Sequence, residues 1–207
     1  MSRKITDEKR EAILRAAYEA FLTEGYAATS MSTIAAKVGG SKATIYNYFA
    51  SKEELFAAVI DEKCQDFLAI LFDPRFDMSD LRGALTRLGE RFVRLLLGED
   101  KIAVYRMVVA ESARFPALGQ LFYQNGPEHG KQQLAGLFAR MIEEGKLRPA
   151  DPAVMAAHFF DLAGGDLHRR KLWNAIASAS DDEIRDQVAQ GVDVFLAAYG
   201  RGAGHAR

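Results

Sequence analysis

One cysteine, one tryptophan and five prolines in 207 residues already exclude several kinds of protein. Cys64 by itself cannot make an internal disulfide, so a disulfide-stapled scaffold is out and a reducing compartment is favoured. No stretch approaches the ~18 uncharged apolar residues of a membrane span. The opening MSRKITDEKREAIL has no apolar core like a signal peptide's. The expected location is therefore cytoplasmic, with no membrane partner. There is almost no net charge, 27 basic against 28 acidic residues, and that balance alone suggests no nucleic-acid partner. A Walker loop, a GxSxG elbow, an HExxH pair and a dinucleotide fingerprint are all missing, so neither an enzyme nor a cofactor is expected. His158 and Asp161 share a helix face three residues apart, but no second ligating motif accompanies them, and no metal site is expected.

What is present is a folded, helical pattern. Apolar residues make up 49% and charged residues 27%, the proportions of a globular chain. Ile13, Ala16, Ala17, Ala20 and Phe21 form the one-sided stripe of a first helix over about 7–23. A short helix follows over about 31–38, with Ser30 as its N-cap, then a Gly39-Gly40 break and another short helix from Ser41 to about Phe49. Ser51 caps a long fourth helix. Further helices read over 81–97, 101–113, 116–144 (interrupted at Gly126-Pro127), 152–173 and 181–199. The expectation is an all-α chain of about nine helices. Its domains would be 7–67, containing a helix-turn-helix over about 30–49, and 68–200, followed by a flexible tail at 201–207.

The charge distribution is less even than its total. Between Glu24 and Glu53 no carboxylate occurs, while Lys37, Lys42 and Lys52 do. At 100° per residue, Ile45 and Phe49 of the third helix point one way, and Ala43, Thr44, Tyr46 and Asn47 spread over the opposite side. Such a front suits a DNA major groove: Lys42 can donate to guanine, Asn47 can pair with adenine, and Ala43 or the Thr44 methyl can touch thymine. Ser30, Ser32, Tyr46, Tyr48 and Lys52 are of the types that hold phosphates. By periodicity alone the same helix is equally well a plain surface element.

The run TSMSTIAAKVGGSKATIYNYFASKEELFAAV resembles the DNA-binding domain of TetR-type transcriptional regulators. Ile34-Ala35, the glycine turn, Ser41-Lys42, Ile45-Tyr46, Tyr48-Phe49, Ser51-Lys52 and Leu55 carry the likeness. Gly40 departs from it, since the family usually has an apolar residue there. The resemblance implies a homodimer that places two third helices in successive major grooves of a palindromic double-stranded operator. Lys42, Ala43, Thr44 and Asn47 would face bases, and Ser30, Ser32, Tyr46, Tyr48 and Lys52 would face phosphates. RMVVAESARFPALGQLFYQNGP and the later GGDLHRR resemble the AefR-like C-terminal subgroup, which implies a repressor responding to a small-molecule effector.

Phe67, Leu71, Tyr105, Arg106, Val109, Phe122, Phe159 and His168 are the candidate effector-binding residues, an apolar set with a few polar groups. For each of them, ordinary core packing is the competing reading. Glu111, His158, Asp161 and Asp166 are further polar groups on otherwise apolar helices. Val188, Val192, Phe195, Leu196 and Tyr199 make a stripe on the last helix that is expected at the dimer interface, the alternative being a stripe that faces its own subunit. The reading from another class is an all-helical carrier or enzyme with an idle helix-turn-helix head.

Overall fold

The computed structural model describes residues 2–72 and 80–201, so all but Arg201 of the expected flexible tail lies outside the described residues. Ten α-helices occur among them: α1 (Ser2–Glu24), α2 (Met31–Lys37), α3 (Lys42–Tyr46), α4 (Lys52–Leu71), α5 (Leu81–Leu96), α6 (Glu99–Ser112), α7 (Pro116–Tyr123), α8 (His129–Glu143), α9 (Pro152–Leu172) and α10 (Asp181–Tyr199). The expected break at Gly126-Pro127 is a π-helical turn, Gln124–Glu128, joining α7 to α8. Proline has no N–H to give and clashes with the preceding turn, and widening that turn absorbs it without ending the helix. Counted through that turn, the helices number nine. Among the described residues no helix is long and apolar enough to cross a membrane.

Side-chain caps fix where the helices begin. Ser30 accepts from the Thr33 amide, Ser41 from Thr44, and Asp80 from Gly83, while Ser180 and Glu183 form a reciprocal capping box. The start that differs most from the periodicity is that of α1, which begins at Ser2, not at Asp7. An apolar stripe marks only the part of a helix that is buried, and the charged run Asp7 to Glu11 adds nothing to that stripe.

The chain divides into two compact units. The first contains residues up to 66 together with 103–126. The core of this unit joins Ile13, Phe21, Tyr26, Ile34, Ile45 and Phe56 with Val104, Val108 and Leu118. Residues 103–126, read from the sequence as part of the body, thus pack with the N-terminal helices. The second unit contains 67–102 and residues from 127 onward. At its centre the rings of Phe138, Phe159 and Phe195 lie 5.1–6.0 Å apart.

Within the second unit α9 and α10 approach closely. A Cβ on Gly191 would stand 2.7 Å from the Leu162 carbonyl oxygen, so only glycine permits this crossing. Nearby, α9 kinks at Gly165 (φ 49, ψ −138), and the Gln187 amide donates to the Leu162 carbonyl at 3.0 Å. A side-chain donor from the neighbouring helix thereby serves a carbonyl in the turn where the helix bends.

Candidate nucleic-acid interface

The interface is set by how α2 and α3 are joined. In the turn, Gly39 adopts φ +65. The Gly40 amide donates to the Ala35 carbonyl at 3.0 Å and the Gly39 amide to Ala36 at 3.2 Å, the paired bonds of a Schellman ending. Left-handed backbone costs a residue with a Cβ roughly 1–2 kcal/mol, which makes Gly39 the specific requirement. Gly40 has no such need. A Cβ there would find Thr44 at 3.7 Å, an ordinary contact that accommodates the apolar residue usual at this position.

Beyond the turn, α3 has one buried side and one open side. Ile45 is fully buried and Phe49 nearly so, and both join the core of the first unit. Ser41, Lys42, Ala43, Tyr46 and Asn47 are exposed, whereas Thr44 and Tyr48 are half-buried. The Thr44 hydroxyl lies 2.9 Å from that of the N-cap Ser41. The Lys42 ammonium lies 5.6 Å from the centre of the Tyr46 ring. Ser30 and Ser32 are exposed at the start of α2, and the Ser30 hydroxyl lies 2.9 Å from that of Thr33. The α2–α3 pair therefore presents two lysines, one amide, hydroxyls and an aromatic ring to solvent, with no carboxylate between Gly25 and Lys52. Donors dominate, as a polyanion with hydrogen-bonding base edges demands.

Lys52 takes a different place from the one its type suggests. Its ammonium donates to the carbonyls of Tyr26 at 2.8 Å, Thr29 at 3.0 Å and Ala27 at 3.4 Å, and lies 4.3 Å from the centre of the Tyr26 ring. Burial, reinforced by the neighbouring Glu53 and Glu111 carboxylates, holds the Tyr26 phenol protonated far above its ordinary range. Glu53 titrates below the usual carboxylate range. Its own backbone N–H is the main cause, with the Ser51 hydroxyl, Tyr26 and the Lys52 charge helping against desolvation. Glu111 was singled out in the sequence only as a polar group on an apolar helix. Its carboxylate accepts from the Ala27 amide at 3.1 Å and so ties α6 to the α1–α2 loop. A bond across 84 residues leaves no local signal in the sequence.

The candidate effector residues are spread over both units. In the first, the Tyr105 and Phe122 rings meet edge to face at 5.0 Å, and burial, with the Cys64 sulfur adding, pushes the Tyr105 phenol up to about 12. Arg106 is half-buried in the same unit. Val109 is 65% exposed, so it lines no enclosed pocket, because it falls on the outer side of α6. In the second unit Leu71 and Phe159 are core side chains at 1% exposure, and Phe67 stacks edge to face on Phe92. His168 is half-buried; desolvation first, and then the Arg169 charge, lower its pKa.

Most of the expected dimer stripe is already covered within one protomer. Val188, Val192, Phe195 and Tyr199 are 0–8% exposed within one protomer, and Leu196 is half-buried. That stripe is the inner face of α10, covered by the protomer's own helices. The large apolar side chains left exposed on α9, at its end and on α10 are Val154, Trp173 and Val194.

With this geometry in view, comparisons with known proteins are informative. Residues 13–59 match the family described as bacterial regulatory proteins, tetR family, and residues 83–201 match the AefR-like transcriptional repressor C-terminal domain. The chain is 40% identical over 102 residues to the HTH-type transcriptional activator FasR of Mycolicibacterium smegmatis, covering 49% of this chain and 46% of that one. It therefore spans less than half the length of that relative. It is 30% identical over 182 residues to the HTH-type transcriptional regulator RutR of Escherichia coli, covering 87% of this chain and 82% of RutR. Among solved structures, the flavonoid-responsive regulator FrrA superposes with a TM-score of 0.84 at 33% identity, covering 95% of this chain and all of that one.

Proposed function

Since the chain belongs to the TetR family of bacterial regulatory proteins, we propose that it is a dimeric, effector-responsive repressor that reads a palindromic operator through α3. The family makes it a DNA-binding transcriptional regulator; the operator, the dimer and the response are this proposal. The observation that carries it is the division of α3 into a back made by Ile45 and Phe49 and a front open to solvent. On that front Lys42, Ala43, Thr44 and Asn47 meet base edges. Ser30, Ser32, Tyr46 and Tyr48 meet phosphates. Two such helices related by a dyad read half-sites about one helical turn, ~34 Å, apart. The dimer contact falls to the outer face of α9 and α10, where Val154, Trp173 and Val194 are exposed.

Repression is supported by the AefR-like match over 83–201. FrrA responds to flavonoids, and the aromatic Tyr105–Phe122 pair of the first unit suits a small apolar or amphipathic effector of similar character. The response runs through α4, whose residues to 66 belong to the first unit and whose last turn belongs to the second. A difference in effector affinity of ~3 kcal/mol between two arrangements changes operator affinity roughly a hundredfold. The test is retardation of DNA from upstream of its own gene at moderate salt, together with a promoter–reporter fusion. Retardation with reporter activity falling on expression supports a repressor. Retardation with activity rising makes it an activator, as FasR is named. Failure to bind any duplex leaves the idle-head reading.

A further inference from the structure

Three backbone carbonyls converge on one ammonium at the start of α4. Tyr26, Ala27 and Thr29 lie in the loop between α1 and α2, where no helical partner is available to their oxygens, and the Lys52 Nζ serves all three at 2.8–3.4 Å. A lysine has three N–H donors, so this geometry occupies every one. The ammonium also rests 4.3 Å from the centre of the buried Tyr26 ring, which packs against Phe21, Phe56 and Phe115. The loop is fixed from its other edge by Glu111, which takes the Ala27 amide, and from within by the buried Thr29 hydroxyl, which donates to the Gly25 and Ala20 carbonyls. Thr29 is followed directly by Ser30, the N-cap of α2.

Resting on the DNA-binding reading above, we infer that Lys52 is a positioning residue and not a phosphate ligand: it clamps the 26–29 loop and thereby sets the Ser30 hydroxyl and the start of α2 against the DNA backbone. Leaving the loop to meet a phosphate would strand the part-buried Tyr26 and Thr29 carbonyls, which opposes any such exchange. Among the described residues Lys42 has no comparable anchor: its ammonium lies over the Tyr46 ring, at the exposed start of α3.

Two measurements test this. In the first, the unmodified protein is acetylated with acetic anhydride, free and on a random-sequence duplex at low salt, and each lysine is followed by mass spectrometry. Lys52 should react at least ~10-fold more slowly than Lys42 in the free protein and show no further change on DNA, because its ammonium is already shielded. Lys42 should slow only on DNA. Reaction of Lys52 at the Lys42 rate in the free protein, or further slowing of Lys52 on DNA, overturns the inference. Absence of duplex binding and of Lys42 protection would instead defeat the DNA-binding reading, while the rate of Lys52 in the free protein still reports on the clamp.

The second measurement is the salt dependence of duplex binding by Lys52→Met, which keeps the stem and removes the donors. Affinity should fall roughly tenfold while the log–log slope stays that of the parent; losing a phosphate contact would flatten it by about 0.9. That flattening overturns the inference. Should Lys52→Met fail to fold, the acetylation rates decide alone.

Discussion

Replacing Ile45 by alanine and, separately, Asn47 by alanine tests the two sides of α3 against each other. Ile45 is fully buried in the first unit's core, and α3 has only five helical residues with which to hold itself there. Truncation removes every carbon beyond Cβ. At about 0.8 kcal/mol per buried methylene plus a cavity contribution, the loss is roughly 3 kcal/mol. For a chain of this size that lowers the melting temperature by about 6–12 °C. Asn47 is exposed at the C-terminal end of α3, and its backbone amide, not its side chain, donates to the Ala43 carbonyl. Asn47→Ala should therefore melt within about 2 °C of the parent, as surface substitutions usually do. It should nonetheless lose roughly 1–3 kcal/mol of discrimination against a wrong base, up to about a hundredfold. Circular dichroism melts and fluorescence anisotropy with operator and single-base-changed duplexes measure both. An Ile45→Ala protein that melts like the parent, or an Asn47→Ala protein that is markedly destabilised while keeping its base preference, would show that the faces of α3 have been assigned the wrong way round.

Gly39→Ala should destabilise by about 1 kcal/mol because its backbone is left-handed, whereas Gly40→Ala should stabilise by about 0.5 kcal/mol. Opposite shifts in urea midpoint check the pair, and shifts of the same sign would contradict the turn geometry. Gly191→Ala drives a Cβ into the Leu162 carbonyl and should cost roughly 2–3 kcal/mol, read as a lower melting temperature. His168 has a lowered folded pKa, so the unfolded chain binds its proton first. Its contribution to stability is present above the unfolded value of about 6.5 and is lost as pH falls from there through the folded pKa. His168→Gln should flatten the fall in urea midpoint over that range; an unchanged profile would place the titration elsewhere.

The helix-turn-helix was legible because its determinants are local. Ser30, Ser41 and Ser51 start helices within a residue or two of themselves, Gly39 makes a turn by its own backbone freedom, and the 40° between Ile45 and Phe49 sets which side of α3 turns inward. The interior of α10 was legible only as a stripe. Val188, Val192, Phe195 and Tyr199 have one-sided spacing whether their own subunit or a second copy covers them, and only the packed helices reveal that the cover comes from the same protomer. The 103–126 segment follows the same rule: periodicity shows that Val104 and Val108 are inward, and tertiary packing decides that they meet the core of α1–α4. Lys52 shows the limit most plainly. Its type and place just after α3 suggest a phosphate, but the carbonyls that receive its ammonium lie 23–26 residues away in the chain and become neighbours only on folding. Local sequence thus determined the helices, their caps and the open face of α3, since backbone propensity and periodicity act within a few residues. Which surface covers each apolar face, and where each long polar side chain ends, was decided by the tertiary structure, because burial and long-range hydrogen bonds depend on the whole chain.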